Sequence, residues 1–494
     1  MGDRKKADSS KKQKIAIVHY HLRRGGVTRV IEGAADVLTA MGHEVLLLSG
    51  EEPVPASSKR PVRVIPALNY RRTGNSVIAD SLEDVLKKEA ADHFGCLPDV
   101  WHFHNPTLAK NVLFPSVIRE LAEEGQRVVL QLHDFAEDGR PGNYTVQRSF
   151  FDSEDSFEST LYPVAKQIHY ATINRRDHDF LQAAGVSRSN LHVLPNAVSE
   201  LKVRTTPEDR PFSRDKLYAI YPVRGIRRKN IGELLLLAMF HEDKVHYATS
   251  LNPENPEWEA GYGAWQDAVE EFQLPVTLGI ADGEKYDYLD LVGWADFVVT
   301  TSVAEGFGLA FLEPWTVGKG VMGRDLPDIT KDFAENGLEL RNLYQRIEFP
   351  VEWLDEKALK GEIESMLRQS YLAYDVRLPR NAVRQTWKEW VRRKRIDFGV
   401  LNEAFQVQVL RLLHENPELR KEVSVPPLSL ATEEEIRESR RIIEDVYSLE
   451  RYGERLESLY SHVLEGNVGK VGHLSTDRVL DQFLKPARLN LLRN

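Results

Sequence analysis

Glu305 and Glu313 bracket a glycine turn, Gly306-Phe307-Gly308, that follows the short apolar run Phe297 to Thr301. Each residue type suits one part of a single chemistry. Glycine tolerates φ > 0 and lets backbone N–H groups come close to a ligand. The first N–H groups of a helix have no partner inside it and favour an anion, above all a phosphate. Leu309 to Trp315 is apolar enough to begin that helix. A carboxylate beside a phosphate would repel it, so the two Glu are better suited to accept hydrogen bonds from sugar hydroxyls. The plain alternative is one surface Glu and one ordinary helical Glu.

Two cations occupy a second strand end. Arg224 and Lys229 follow Leu217 to Tyr221 directly, where α/β proteins bind their ligands. A planar arginine fork and a lysine point charge together can hold a diphosphate. Arg227 and Arg228 lie between them, and spacing leaves open which arginine faces the phosphates; a basic surface loop is the competing account. His133-Asp134 closes a third apolar run, Leu130 to Leu132. A lone His is more often structural than functional, but at a strand's C-terminal end beside an Asp it can hydrogen-bond a substrate hydroxyl.

The elements that must position these residues are short buried strands alternating with helices. Ile15 to Tyr20 is the first strand, Thr28 to Met41 a helix ended by Gly42, and Val45 to Leu48 the next strand. The pattern recurs at Val62–Ile65, Val100–His104, Val128–Leu132, Tyr170–Ile173 and Leu191–Leu194, and this predicts a doubly wound parallel sheet. Arg24-Gly25-Gly26-Val27 lacks G-x-G-x-x-G, so a dinucleotide site is disfavoured. Glu200 to Arg214, charged and Pro-containing, reads as a linker. A second series opens at Leu217 and continues at Val245–Ala248, Val276–Gly279 and Phe297–Thr301. Beyond Lys331 the spacing predicts helices over Ala358–Leu372, Ala382–Lys394, Leu401–His414 and a long stretch from Glu433 to Leu464. Val391 to Arg395 then lies on a solvated helix face.

Arg224-x4-Lys229 together with Glu305-x7-Glu313 resembles the signature of retaining glycosyltransferases of the GT-B fold, chiefly family 4. The resemblance covers roughly residues 14–330. It implies two Rossmann-like α/β domains facing a cleft, with extra C-terminal helices: a tail at 1–13, an acceptor-side domain at 14–205, a donor domain at 215–445 with a helical insertion at about 345–430, and helices at 446–494 crossing back to the first domain. It also implies roles. Arg224 and Lys229 meet the donor diphosphate, and Glu305 and His133 act on the sugar. Gly25, Gly26, Asn196, Gly306, Phe307, Gly308, Leu309 and Glu313 bind the donor.

The reaction implied is metal-independent transfer of a hexose, with glucose the commonest, from a nucleotide diphosphate sugar (UDP-sugar first) to a hydroxyl acceptor, small and soluble. Retention is inherited from the family. Alternatives within the fold are a sugar-nucleotide epimerase, a glycoside phosphorylase and a non-catalytic nucleotide-sugar sensor. The chain departs from the family where Pro314-Trp315 follows Glu313. Proline there forces the helix to start late or kink.

Composition fits this. At 494 residues the chain needs two or three domains. A net charge of −10 argues against a nucleic-acid partner. No apolar run approaches the roughly 18 residues of a membrane span. The lone Cys96 excludes an internal disulfide and fits a reducing cytoplasm. Met1 to Lys14 has neither the apolar core of a signal peptide nor a structural pattern. His19, His21, His102 and His104 alternate along strands without a third metal ligand, and one or two suit an acceptor pocket. Asp177-His178-Asp179 falls inside a predicted helix, away from any strand end, so its Asp-x-Asp form reads as chance.

Overall fold

The computed structural model describes residues 12–53, 60–73, 76–284 and 286–492; most of the N-terminal tail, residues 1–11, lies outside them. The chain divides into two compact units, residues 1–197 with 447–483 and residues 198–446 with 484–494.

The first unit is built on a seven-stranded sheet. Its strands are β1 (Lys14–Val18), β2 (Glu44–Ser49), β3 (Val62–Val64), β4 (Val100–His104), β5 (Val128–Leu132), β7 (Ile168–Thr172) and β8 (Leu191–Val193), while β6 (Pro163–Val164) stays outside it. The order is β3-β2-β1-β4-β5-β7-β8, with parallel pairings throughout. β4, β5 and β7 are buried along their whole length, which is why they read as mostly apolar runs without a solvent-facing side. The helix Gly26–Ala40 packs Ile31, Ala34, Ala35 and Leu38 into one core with Tyr452, Leu456, Leu459, Tyr460 and Val463 of the helix Leu449–Glu465. The predicted continuous helix from Glu433 to Leu464 is therefore two. Ser448 leaves helical geometry and caps the second helix by accepting from Arg451 N–H at 3.3 Å.

The second unit carries a six-stranded sheet of β9 (Leu217–Arg224), β10 (Val245–Leu251), β11 (Val276–Thr277), β12 (Phe297–Thr300), β13 (Val321–Arg324) and β14 (Leu343–Tyr344), in the order β11-β10-β9-β12-β13-β14. Two expectations fail here. The supposed linker packs onto this unit: Leu201, Val203 and Phe212 lie against the cluster of Tyr218, Leu291 and Trp294, and buried Arg210 donates to Asp296 at 2.9 Å. A few apolar side chains and one buried ion pair suffice to hold it there, so low apolar content misread it as a tether. Val391 to Arg395 is not helical either. β16 (Val391–Arg392) and β17 (Arg395–Asp397) form a hairpin against β15 (Glu348–Pro350), and its turn places Arg393 and Lys394 at φ 50° and 60°. The last strand, β18 (Gly472–His473), pairs with β6.

Candidate functional site

In the second unit the C-terminal ends of β9 and β12, neighbours in the sheet, carry the two motifs. After β9, Arg227 to Lys229 make one 3₁₀ turn that ends in a left-handed Asn230 (φ 52°). This turn is stitched to the β12 end. Val303 N–H donates to Arg228 C=O at 2.9 Å, and Thr301 Oγ1 donates to the carbonyls of Lys229 and Asn230, each at 3.0 Å. The result brings Lys229 Nζ onto Glu305 Oε1. Ser302 Oγ donates to the same oxygen at 2.6 Å and is itself bonded to the buried Tyr221 hydroxyl at 2.7 Å. Arg228 reaches Glu305 Oε2 at 3.4 Å and Ala304 C=O at 2.9 Å.

Burial sets the electrostatics of this pair. It alone would raise the Glu305 carboxyl, but Lys229 and Arg228 outweigh it and hold the group below the usual range. Burial likewise pushes the Lys229 ammonium below its ordinary value, against the pull of Glu305. A charged pair out of water relies on its hydrogen bonds to stay paired, and Ser302 supplies one.

The three arginines, equivalent by spacing, are separated by structure. Arg227 is committed to Glu403 (2.7 and 3.1 Å) and to Leu491 C=O (2.8 Å). Arg224 turns to the β10 side, to Asn252 C=O at 3.3 Å and to Glu254, itself 77% exposed. Arg228 joins Lys229 on Glu305. Contacts therefore bring together Arg228, Lys229 and Glu305, with Arg224 held on the neighbouring loop.

The glycine loop departs from its simple prediction. Gly308 is left-handed (φ 88°), and a Cβ there would lie 2.9 Å from both Ile329 and Phe311. Leu309–Phe311 is only a 3₁₀ turn, and the α-helix starts late, at Glu313–Thr316, with Pro314 in its first turn. That late start accommodates a proline without losing a helix bond. Phe307 is buried, its ring edge-on to Phe333 at 5.8 Å. Glu313 is half-buried in the first turn of the short helix.

The first unit holds the other predicted residues. His133 lies beyond the end of β5, its N–H and that of Asp134 both received by Asn105 Oδ1 at 2.7 and 3.1 Å. Its Nε2 meets His104 Nδ1 at 2.9 Å, and the two rings stack. His102 stacks on His104 in turn and bonds Tyr460 at 2.8 Å. Burial pushes His19 and His102 down to about 3 and His133 to about 4, so these rings are neutral near pH 7. His19 is fixed as the Nδ1–H tautomer by donating to His21 C=O at 2.7 Å. Gly25 and Gly26 stand before the helix Gly26–Ala40, both exposed. Gly25 is extended, and no protein atom lies closer than 3.9 Å to a Cβ built on either. Packing therefore does not demand either glycine. Asn196 is buried, and among the described residues its Oδ1 has no partner. Asp177 N–H donates to Oδ1 of the helix N-cap Asn174 at 2.8 Å, and its carboxylate accepts from Asn174 Nδ2 at 2.9 Å and pairs with Arg176 at 2.7 Å, a structural role.

Residues 24–200 match the family model for Glycosyltransferase Family 4. The chain is a glycosyltransferase, and its residues 24–200 carry the family 4 match. Over 500 residues it is 26% identical to the mannosylglucosyl-3-phosphoglycerate synthase of Petrotoga mobilis, covering 95% of each chain. Among solved structures, it is similar to sucrose-phosphate synthase from Thermosynechococcus elongatus (TM-score 0.51, 14% identity, 92% of this chain and 100% of that one). It is likewise similar to HepE from Anabaena, solved with UDP and glucose (TM-score 0.52, 13% identity, 91% and 99%). Its two α/β units are those of the GT-B fold.

Sequence reading of this glycosyltransferase missed Ser302 and Arg228 as partners of Glu305, Tyr221 as the partner of Ser302, and His104 as the partner of His133. Ser302 stands three residues before Glu305 at a strand end, a usable signal. Glu403 as the anchor of Arg227 had none, being 176 positions away.

Proposed function

We propose that this glycosyltransferase is retaining and metal-independent, moving a hexose, with glucose the first choice, from a nucleoside diphosphate sugar to a hydroxyl of a small soluble acceptor. The observation that carries this reading is the buried Lys229–Glu305 pair, joined by the partly exposed Arg228, at the glycine loop. It presents fixed positive charge where a diphosphate leaving group develops negative charge, and such preorganised groups need no reorganisation during reaction. UDP and glucose in the HepE structure support a UDP-sugar donor. The Petrotoga relative's name supports a phosphoglycerate-bearing acceptor.

In the resting site Glu305 holds both cations. A diphosphate offers Lys229 and Arg228 a more highly charged partner, and Arg224, tied to the Asn252 carbonyl and an exposed Glu254, swings to join them. Glu305 then accepts a hydrogen bond from a sugar hydroxyl. The bond between the anomeric carbon and the diphosphate oxygen breaks. The acceptor oxygen bonds to the same face of that carbon, and its proton passes to the departing diphosphate oxygen. His133, neutral, hydrogen-bonds a sugar hydroxyl and takes no proton. The reaction is assigned to the cytoplasm, where the exposed lone Cys96 stays reduced. Among the described residues no helix is long and apolar enough to cross a membrane.

The test is product analysis by NMR after incubation with UDP-glucose or GDP-mannose and either 3-phosphoglycerate or glucosyl-3-phosphoglycerate, in EDTA. An α-linked glycoside from an α-linked donor is expected. A β-linked product would sink retention, and full inhibition by EDTA would sink metal independence.

A further inference from the structure

Outside the sheet of the first unit, two loops are zipped together. Arg71 N–H donates to Lys110 C=O at 2.7 Å, Val112 N–H donates to Arg71 C=O at 3.0 Å, and Arg71 and Asn111 form an isolated parallel bridge. The fully buried Asn111 amide clamps the carbonyls of Ala67, Leu68 and Asn69 at 2.8, 3.1 and 2.9 Å. Such a buried network is rigid when its members are satisfied. It fixes the backbone from which Arg72 and Lys110 project.

Lys110 Nζ stands 5.1 Å above the ring centre of Tyr70, which is 49% exposed and whose hydroxyl bonds His21 Nε2 at 2.9 Å. Arg140, at the head of the helix Pro141–Phe150, is held by Asp134 at 2.6 Å, the neighbour of His133. Among the described residues no carboxylate lies within 4.0 Å of Lys110 or Arg72. Burial, then the repulsion of Arg72 and Arg140, pushes the Lys110 ammonium below its usual value, with Asp134 opposing. Arg72, Arg140 and the carboxylate of Asp134 are thus the charges that act on Lys110, on a chain whose net charge is −10. Like charges held together by a rigid loop stabilise nothing by themselves, and an anion relieves them.

We propose that Arg72, Lys110 and Arg140 form an anion site that holds the phosphate or carboxylate of the acceptor, with Tyr70 against its carbon skeleton, so that the acceptor hydroxyl lies beside His133. This rests on the transferase reading above and names the acceptor class: a small, phosphorylated or carboxylated molecule. The phosphate binds as a charge-assisted partner of an arginine fork and a lysine, the pairing suited to it.

The experiment is calorimetric titration of the full-length chain with 3-phosphoglycerate, with inorganic phosphate and glycerate as competitors and UDP titrated separately. Lys110→Ala, Lys110→Arg and Arg72→Ala are compared with wild type. The expectation is that Lys110→Ala weakens 3-phosphoglycerate roughly tenfold or more, the effect of losing one charged hydrogen-bond partner. Arg72→Ala weakens it too, Lys110→Arg retains most of the binding, and UDP affinity stays the same in all. Competition by phosphate assigns the phosphate group to the site, and competition by glycerate alone assigns the carboxylate; either supports an anion site. Wild type that binds UDP but not 3-phosphoglycerate, or Lys110→Ala that binds it as tightly as wild type, overturns the proposal alone. Wild type that binds neither overturns the transferase reading with it.

Discussion

Lys229 and Glu305, 76 positions apart, form a buried ion pair whose carboxylate also accepts from Ser302 and Arg228. Removing one partner leaves the other charged and unpaired, a loss of about 3–5 kcal/mol for buried pairs. Glu305→Ala should therefore lower stability as well as rate. Glu305→Gln keeps the shape and a hydrogen-bond acceptor, so it separates the two effects. Its turnover should fall about 10²–10³-fold with a smaller change in urea midpoint than Glu305→Ala. Equal activity of Glu305→Gln and wild type would remove Glu305 from the chemistry.

The divided arginines give a second expectation. Arg227 braces its turn through Glu403 and Leu491 C=O, so Arg227→Ala should reduce stability more than it reduces nucleotide affinity. Arg224 has only a carbonyl and an exposed Glu254, and exposed pairs contribute about 0–1 kcal/mol. Arg224→Ala should unfold at nearly the wild-type temperature and yet bind UDP weakly. The reverse pattern in melting curves and UDP titrations would exchange their roles.

How far the sequence could be read follows from how local each signal was. The strands β4, β5 and β12 were legible because burial on both faces leaves mostly apolar runs. Gly308 and Pro314 were legible because each has one strong backbone preference. Arg227 and Arg228 were not separable, because two arginines in one 3₁₀ turn differ only in what the rest of the fold sets beside them. The basic run Val391–Arg395 has helix-forming residues throughout, yet pairing of β17 with β15 outweighs a propensity of tenths of a kcal/mol per residue. The ring contact of His104 with His133 joins neighbouring strands, which alternation along either one does not reveal.

Gly26 offers a test that separates ligand from fold. A Cβ there meets no protein atom within 4 Å, so Gly26→Val should fold with a melting point close to wild type, the change in helix propensity being within about 1 kcal/mol. The added side chain fills the space that an approaching substrate needs, and activity should fall by an order of magnitude or more. Full activity in a Gly26→Val protein would show that no substrate comes close to this loop.

Acid stability follows from the buried imidazoles. His19, His102 and His133 have native values near 3, 3 and 4, below the value of about 6.5 in an unfolded chain. Between those limits the unfolded state binds more protons than the native one, so stability falls as pH falls from about 6.5 towards 4. Each group contributes up to about 1.4 kcal/mol per pH unit in that window. Urea unfolding at pH 7 and pH 5 should show the loss, and His133→Asn should lose less between the two. A midpoint that does not move between pH 7 and 5 would mean that these rings are not neutral and buried in solution.

The donor site itself is tested by thermal unfolding with UDP, GDP and ADP in EDTA. A ligand at about 100 times its Kd adds roughly 2.7 kcal/mol of stability. For a chain of this size that corresponds to a shift of a few degrees. One nucleotide, UDP by the present reading, should stabilise wild type and stabilise Glu313→Ala much less, because the proposed contact from Glu313 to the donor is gone. Because Glu313 is half-buried in the first turn of a four-residue helix, its removal lowers the variant's melting point with and without nucleotide alike, and only the nucleotide-induced shift of each protein is informative. If GDP is the stabilising nucleotide, the donor base is reassigned and the site stands. If none of the three shifts the transition, the assignment of Arg224, Lys229, Glu305 and Glu313 to a nucleotide-sugar site fails.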